Sequence, residues 1–154
     1  MLTRRHVLLY ALLVAFAPAA YAQLQTFPKA ELTIGSAGGP HKFTVEVATT
    51  PGQMEQGLMF RHSLAADAGM IFDYGVPSMS AMWMKNTLIP LDMLFVDGQG
   101  RIVNIRERAV PQSLETIASA GPVRATIELN GGTVARLGIK PGDRVIFPIF
   151  GNAG

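Results

Sequence analysis

The sequence predicts a mainly β protein, a single-domain antiparallel sandwich or small barrel with one or two short helices. Three observations lead there. Short apolar runs follow one another along most of the chain, with Gly, Pro, Asp and Asn clustered between them, the punctuation of strands and turns. Helix-start chemistry is confined to brief stretches. Neither an internal repeat nor a low-complexity segment interrupts the pattern, so one domain is expected.

The first 22 residues stand apart. Arg4 and Arg5 form a basic start, Val7 to Ala17 an apolar run and Ala20-Tyr21-Ala22 a small-x-small cleavage site, together a secretory signal peptide. The apolar run is too short to span a bilayer. Thr3-Arg4-Arg5-His6-Val7-Leu8 also resembles a twin-arginine signal, which would export the chain already folded. Either route implies a periplasmic or secreted domain over residues 23–154, with no membrane attachment after cleavage. Taking Arg4 and Arg5 from the 13 basic residues leaves 11 against 11 acidic ones, so the formal charge of +2 belongs to the signal and the domain is neutral. That removes the electrostatic case for nucleic acid as a partner. The chain has no cysteine, so an exported domain must be held by its core rather than by disulfides, and 132 of the 154 residues remain to build one.

Taken in order, Leu32-Thr33-Ile34 and Phe43-Thr44-Val45-Glu46-Val47 alternate with period two on either side of Gly35-Ser36-Ala37-Gly38-Gly39-Pro40, a hairpin signal. Thr50, with Pro51 in the first helical position and Gln53 in the third, forms a capping box that predicts a short helix over 51–59, with Met54 and Leu58 facing inward. Arg61 follows at once, where its cation either answers the helix C-terminal dipole or points into a cleft. Strands are expected over 70–74, 79–84, 91–96, 101–108, 123–130 and 144–150. Asp97-Gly98-Gln99-Gly100 and Lys140-Pro141-Gly142-Asp143 supply tight turns. Helical turns are expected near 113–118 and 133–137.

Five segments carry a family resemblance: Gln56-Gly57-Leu58-Met59-Phe60-Arg61, Gly69-Met70-Ile71-Phe72, the run from Trp83 to Asp97, Ile127-Glu128-Leu129-Asn130-Gly131-Gly132, and Gly138-Ile139-Lys140-Pro141-Gly142-Asp143-Arg144-Val145. Together they resemble the bacterial family known as domain of unknown function 192 over nearly the whole of residues 23–154. The resemblance implies a compact, mainly β fold, often exported, and brings no settled activity. Met82 departs from the pattern, which more often has an aromatic there.

The segment Trp83 to Asp97 is also the leading site candidate on physical grounds. Lys85, Asn86 and Asp92 interrupt runs apolar enough to be core strands, and unpartnered burial of such groups costs several kcal/mol or more, so they must pair or face a cavity. Over 123–130 the strand is two-faced, with Arg124, Thr126, Glu128 and Asn130 on one side. If that side meets the rim of the Trp83 segment, Arg61, Trp83, Lys85, Asn86, Asp92, Glu128 and Asn130 line one cleft; otherwise Arg124 and Glu128 are simply a solvated face, and Lys85 with Asp92 a structural ion pair. The cleft reading makes the protein a binding domain for a small polar or anionic molecule such as a carboxylate or saccharide. Arg61 and Lys85 would neutralise it and Trp83 would supply a platform.

Two other classes compete. Met79, Met82 and Met84 beside Trp83 offer thioethers for Cu(I) or another soft metal, although methionine is first an adaptable core filler; otherwise no cofactor is expected. Asp92 with Glu128 could serve a glycan-active hydrolase if the two carboxylates lie about 5 to 9.5 Å apart. No Gly-x-Ser-x-Gly elbow, phosphate loop or dinucleotide fingerprint is present, so no residue is assigned a catalytic role.

Overall fold

The computed structural model describes residues 23–153. The expected signal peptide lies outside them. Strand β1 (Lys29–Ser36) turns through Ala37 and Gly38 into β2 (Gly39–Ala48), the expected hairpin, with Leu32 paired to Phe43. Thr50 then caps α1 (Pro51–Gln56) through the predicted box: its hydroxyl accepts from the Gln53 N–H while the Gln53 side chain accepts from the Thr50 N–H. The helix stops at Gly57, whose φ of 47° and position 3.0 Å from the Phe72 ring, measured from where a Cβ would stand, exclude a larger residue.

Beyond α1 run β3 (Ala68–Ser78), β4 (Ala81–Met82), β5 (Leu91–Val96), β6 (Ile102–Ala109), β7 (Ile117–Ala118), β8 (Val123–Asn130), α2 (Thr133–Leu137) and β9 (Arg144–Ile146). Seven strands form one sheet in the order β6-β5-β8-β3-β2-β1-β9, and β4 pairs with β7 in a small second sheet. All neighbours run antiparallel except β2 and β3, which the α1 crossover makes parallel. The large sheet curls until its edges meet: Arg101 bridges Arg144, the Ile102 N–H donates to Asp143 O and the Val145 N–H to Gly100 O. Gly100 is required at that seam, since a Cβ would lie 2.5 Å from the Val145 carbonyl oxygen.

Curling gives the sheet two different apolar layers. The inner one gathers Leu32, Ile34, Phe43, Val45, Ile71, Leu94, Ile127 and Leu129, plugged by Val134 from α2 and by Phe147 and Phe150 near the C-terminus. The outer one gathers Met70, Phe72, Met93, Phe95, Leu58 and Met84, roofed by α1 and the small sheet. Consequently β8, central and covered on both sides, has no solvated face: Thr126 and Glu128 are buried alongside Ile127 and Leu129.

Three sequence expectations need correction. The strand over 79–84 shrinks to Ala81–Met82, whose partner among the described residues is the equally short β7. That partner replaces the helical turn expected over 113–118. The last strand ends at Ile146, where Pro148 opens a 3-10 turn over Pro148–Phe150.

Candidate functional site

Register fixes a row of side chains across the outer face. Glu46 of β2 stands opposite Met70 of β3, Met70 opposite Glu128 of β8, Glu128 opposite Met93 of β5, and Met93 opposite Arg106 of β6. Glu128 is thus flanked by two fully buried methionines, and only 4% of its own surface is exposed. Among the described residues no hydrogen-bond donor reaches its carboxyl, and burial pushes its pKa up to about 8. The cause is desolvation by burial, which disfavours the anion and keeps the proton on.

Glu128 lines a cavity of about 160 Å³ between α1 and the Trp83 segment, together with Met54, Met59, Phe72, Met82 and Trp83. Toward solvent this cavity shares Glu55, Gln56, Met59 and Trp83 with a wider hollow of about 340 Å³ that Phe60, Lys85 and Asn86 also line. Phe60 and Asn86 both hold left-handed backbones, at φ 66° and 54°, and the Phe60 N–H donates to the Asn86 carbonyl at 2.9 Å. On the far side, Met54, Phe72 and Met82 are shared with a hollow of about 260 Å³ that Tyr74 and Ser80 line. The Tyr74 hydroxyl hydrogen-bonds to Thr126 Oγ1 at 2.7 Å and Ser80 Oγ at 2.8 Å and donates to Met82 Sδ at 3.5 Å. Burial raises its pKa, against the opposing effect of the Ser80 and Thr126 hydrogen bonds. The three hollows share lining residues in series, a groove with the buried Glu128 carboxyl in the middle hollow and the exposed Glu55 toward its solvent side.

The residues expected to share a cleft are dispersed. Trp83, half-exposed, joins the middle hollow to the one toward solvent, and Lys85 lies over its ring at 5.0 Å from the centroid. Glu128 and Asn86 line the groove. Arg61 does not: it is paired with Glu46, sits 5.8 Å from the Phe27 centroid and lines a separate cavity with Lys29 and Asp67. Asp92 is fully buried on the opposite face from Glu128, because it alternates with Met93 and stands opposite Leu129. Its carboxylate accepts the N–H groups of Arg108 at 2.8 Å, Gly132 at 3.1 Å and Val134 at 2.9 Å, which ties β6 and the start of α2 to β5. It therefore pairs neither with Lys85 nor, as a catalytic couple, with Glu128. Asn130 donates to the Leu64 and Ala65 carbonyls at 2.9 Å each and pins the loop after α1. Of the methionine trio, Met79 and Met82 line the same hollow, Met79 at its exposed end, whereas Met84 is fully buried outside the groove lining.

Met54, Met59, Glu55, Phe60 and Tyr74 escape the sequence reading as site residues. The inward spacing of Met54 was a usable signal for one of them. Nothing in the sequence links Tyr74 to Thr126, 52 residues away.

Comparison with known proteins adds a family and two structures. The DUF192 family, described as an uncharacterized ACR, matches residues 32–147. A protein from Sinorhizobium meliloti 1021 described as a candidate transcription regulator is 48% identical, with a TM-score of 0.79 over 81% of this chain and 98% of its own. A protein of unknown function from Novosphingobium aromaticivorans DSM 12444 is 44% identical, with a TM-score of 0.76 over 77% of this chain and 85% of its own. No curated protein matches.

Proposed function

Because this chain belongs to the DUF192 family, which is described only as uncharacterized, we propose its function from its own geometry: it binds a small cationic ligand in the groove between α1 and the Trp83 segment, anchored by Glu128. One observation carries this reading. A carboxyl that lines a cavity, buried and without a donor among the described residues, keeps its proton until a cation arrives to compensate the charge. An entering cation displaces the proton and forms a buried ion pair in surroundings of low dielectric, where the attraction is strongest. Around Glu128 the walls are mostly apolar, from Met54, Met59, Phe72 and Met82, and Trp83 at the joint between two hollows adds an aromatic ring to both.

An anionic ligand has less support, since Arg61 is neutralised by Glu46 and faces another cavity, leaving Lys85 alone at the groove. The description of the S. meliloti relative would bring in nucleic acid. Against that, residues 23–154 are formally neutral, and Lys42, Arg61, Arg106 and Arg124 are each paired with a carboxylate. We place the work outside the cytoplasm, on the strength of the signal-like residues 1–22.

The test is calorimetric titration of the full chain with cations of increasing size, run in buffers of different ionisation enthalpy. Binding should release close to one proton per ligand below pH 8 and weaken in Glu128→Gln. Binding without proton release, or unaffected by Glu128→Gln, would falsify the anchor.

A further inference from the structure

Methionine is unevenly shared between the two layers. The inner layer contains none, whereas Met70, Met84 and Met93 are buried in the outer layer and Met54 and Met82 pack against it. A filler role would suit either layer. Instead, Met54, Met59 and Met82 line the same cavity as Glu128, and Met70 and Met93 stand on either side of it in register.

Resting on the reading that this groove takes a cation, we infer that the cation is a soft monovalent metal, Cu(I), held by the thioethers of Met54, Met59 and Met82 with the Glu128 carboxylate beside them. Thioethers are soft, neutral donors that favour Cu(I) over hard cations. Charge favours a monovalent ion as well. One carboxylate with one positive charge leaves the buried site neutral, while a divalent ion would need a second buried acid. The alternatives are engaged or solvated: Asp92 lies on the other face, Glu46 holds Arg61, and Glu55 is exposed at the mouth. Polar groups already touch two of the sulfurs, Tyr74 Oη at 3.5 Å from Met82 Sδ and Asn86 Nδ2 at 4.0 Å from Met59 Sδ. The three rotatable bonds of each methionine let the sulfurs converge on an ion. Binding forms metal–sulfur and metal–oxygen contacts and releases the carboxyl proton to solvent, with no change of oxidation state.

The full chain is titrated with Ag(I), a redox-silent probe of the same softness, and with Cu(I) held reduced by ascorbate, while the emission of Trp83 and the native mass are followed. Trp83 is the sole tryptophan, so its signal reports this groove. A parallel arm uses butylammonium. The expected result is one metal ion per chain with a change in emission. Met54→Leu, Met59→Leu and Met82→Leu together should weaken binding by more than about tenfold, the least that loss of an outer partner of a metal ligand typically costs. Leucine nearly conserves volume, so the fold should survive; if the triple variant melts early, Met82→Leu alone gives the same comparison. Met84→Leu, outside the cavity lining, should bind like the parent. Metal retained by the triple variant overturns the inference, since the ion then sits elsewhere. Butylammonium bound without metal overturns it too, while leaving the cation reading intact. Binding of neither defeats both.

Discussion

The inner and outer layers of one curled sheet are made by the same strands and built by different rules. Inside, Leu, Ile, Val and Phe fill the space, side chains with defined rotamers that pack tightly around one arrangement. Outside, methionines, a tyrosine hydroxyl network and an unpartnered acid occupy a layer with a groove through it. The inner layer also contains an acid, Asp92, yet three backbone N–H groups satisfy it. Two buried acids on neighbouring strands thus differ in one respect that matters: among the described residues Asp92 has donors, and Glu128 has none. A satisfied acid braces a fold, and an unsatisfied one costs stability and waits for a ligand.

The sharpest way to break this contrast is to cut the inner layer. Ile127→Ala should destabilise by about 2–5 kcal/mol in denaturant unfolding, the usual cost of a core cavity; a loss within experimental error would mean that the inner layer is not the structural one. Next comes the pH dependence of Glu128. Its folded pKa of about 8 lies above the 4.5 of an ordinary glutamate, so the folded state holds the proton longer than the unfolded state. The stabilisation is therefore complete below pH 4.5 and is lost as pH rises to about 8, a change on the order of a few kcal/mol. In Glu128→Gln that slope should flatten.

Asp92→Ala sharpens the same comparison from the other side. It strands three backbone N–H groups, that of Val134 buried and those of Arg108 and Gly132 partly so, at about 1 kcal/mol each, a cost visible in thermal melting. By contrast, Met93→Leu in the outer layer should cost less than about 1.5 kcal/mol, as a volume-conserving change at an adaptable position. Smallest of all, Tyr74→Phe should cost about 1 kcal/mol, by removing a hydroxyl that Thr126 and Ser80 share. If Tyr74→Phe instead outweighs Ile127→Ala, the assignment of rigidity to the inner layer is inverted.

Local chemistry was legible in the sequence and long-range covering was not. The hairpin, the Thr50 capping box, and the bounds of β5 and β8 follow from alternation and turn residues within a few positions of one another. Glu128 in an alternating strand reads as surface, because what buries it is α1 and the β4–β7 sheet, elements that pack on it from distant parts of the chain. Asp92 misleads for a different reason. All six residues of β5 are buried, so the strand shows no polar alternation to say which face each side chain takes. Arg61 was legible as a cation with a purpose, but its partner Glu46 lies on β2, where the sequence displays only an alternating strand. Trp83, by contrast, sits in the segment whose charged and amide groups interrupt two apolar runs, a local signal, and it lines two of the hollows.

The most direct test is carbon NMR titration of the Glu128 carboxyl in the full chain, alone and with Ag(I). A free carboxyl titrating near 8, and driven well below that value once the metal is present, is the predicted result. Titration near 4.5 in the free protein would contradict it, because such a carboxylate is already hydrated or paired and has nothing left for a ligand to satisfy.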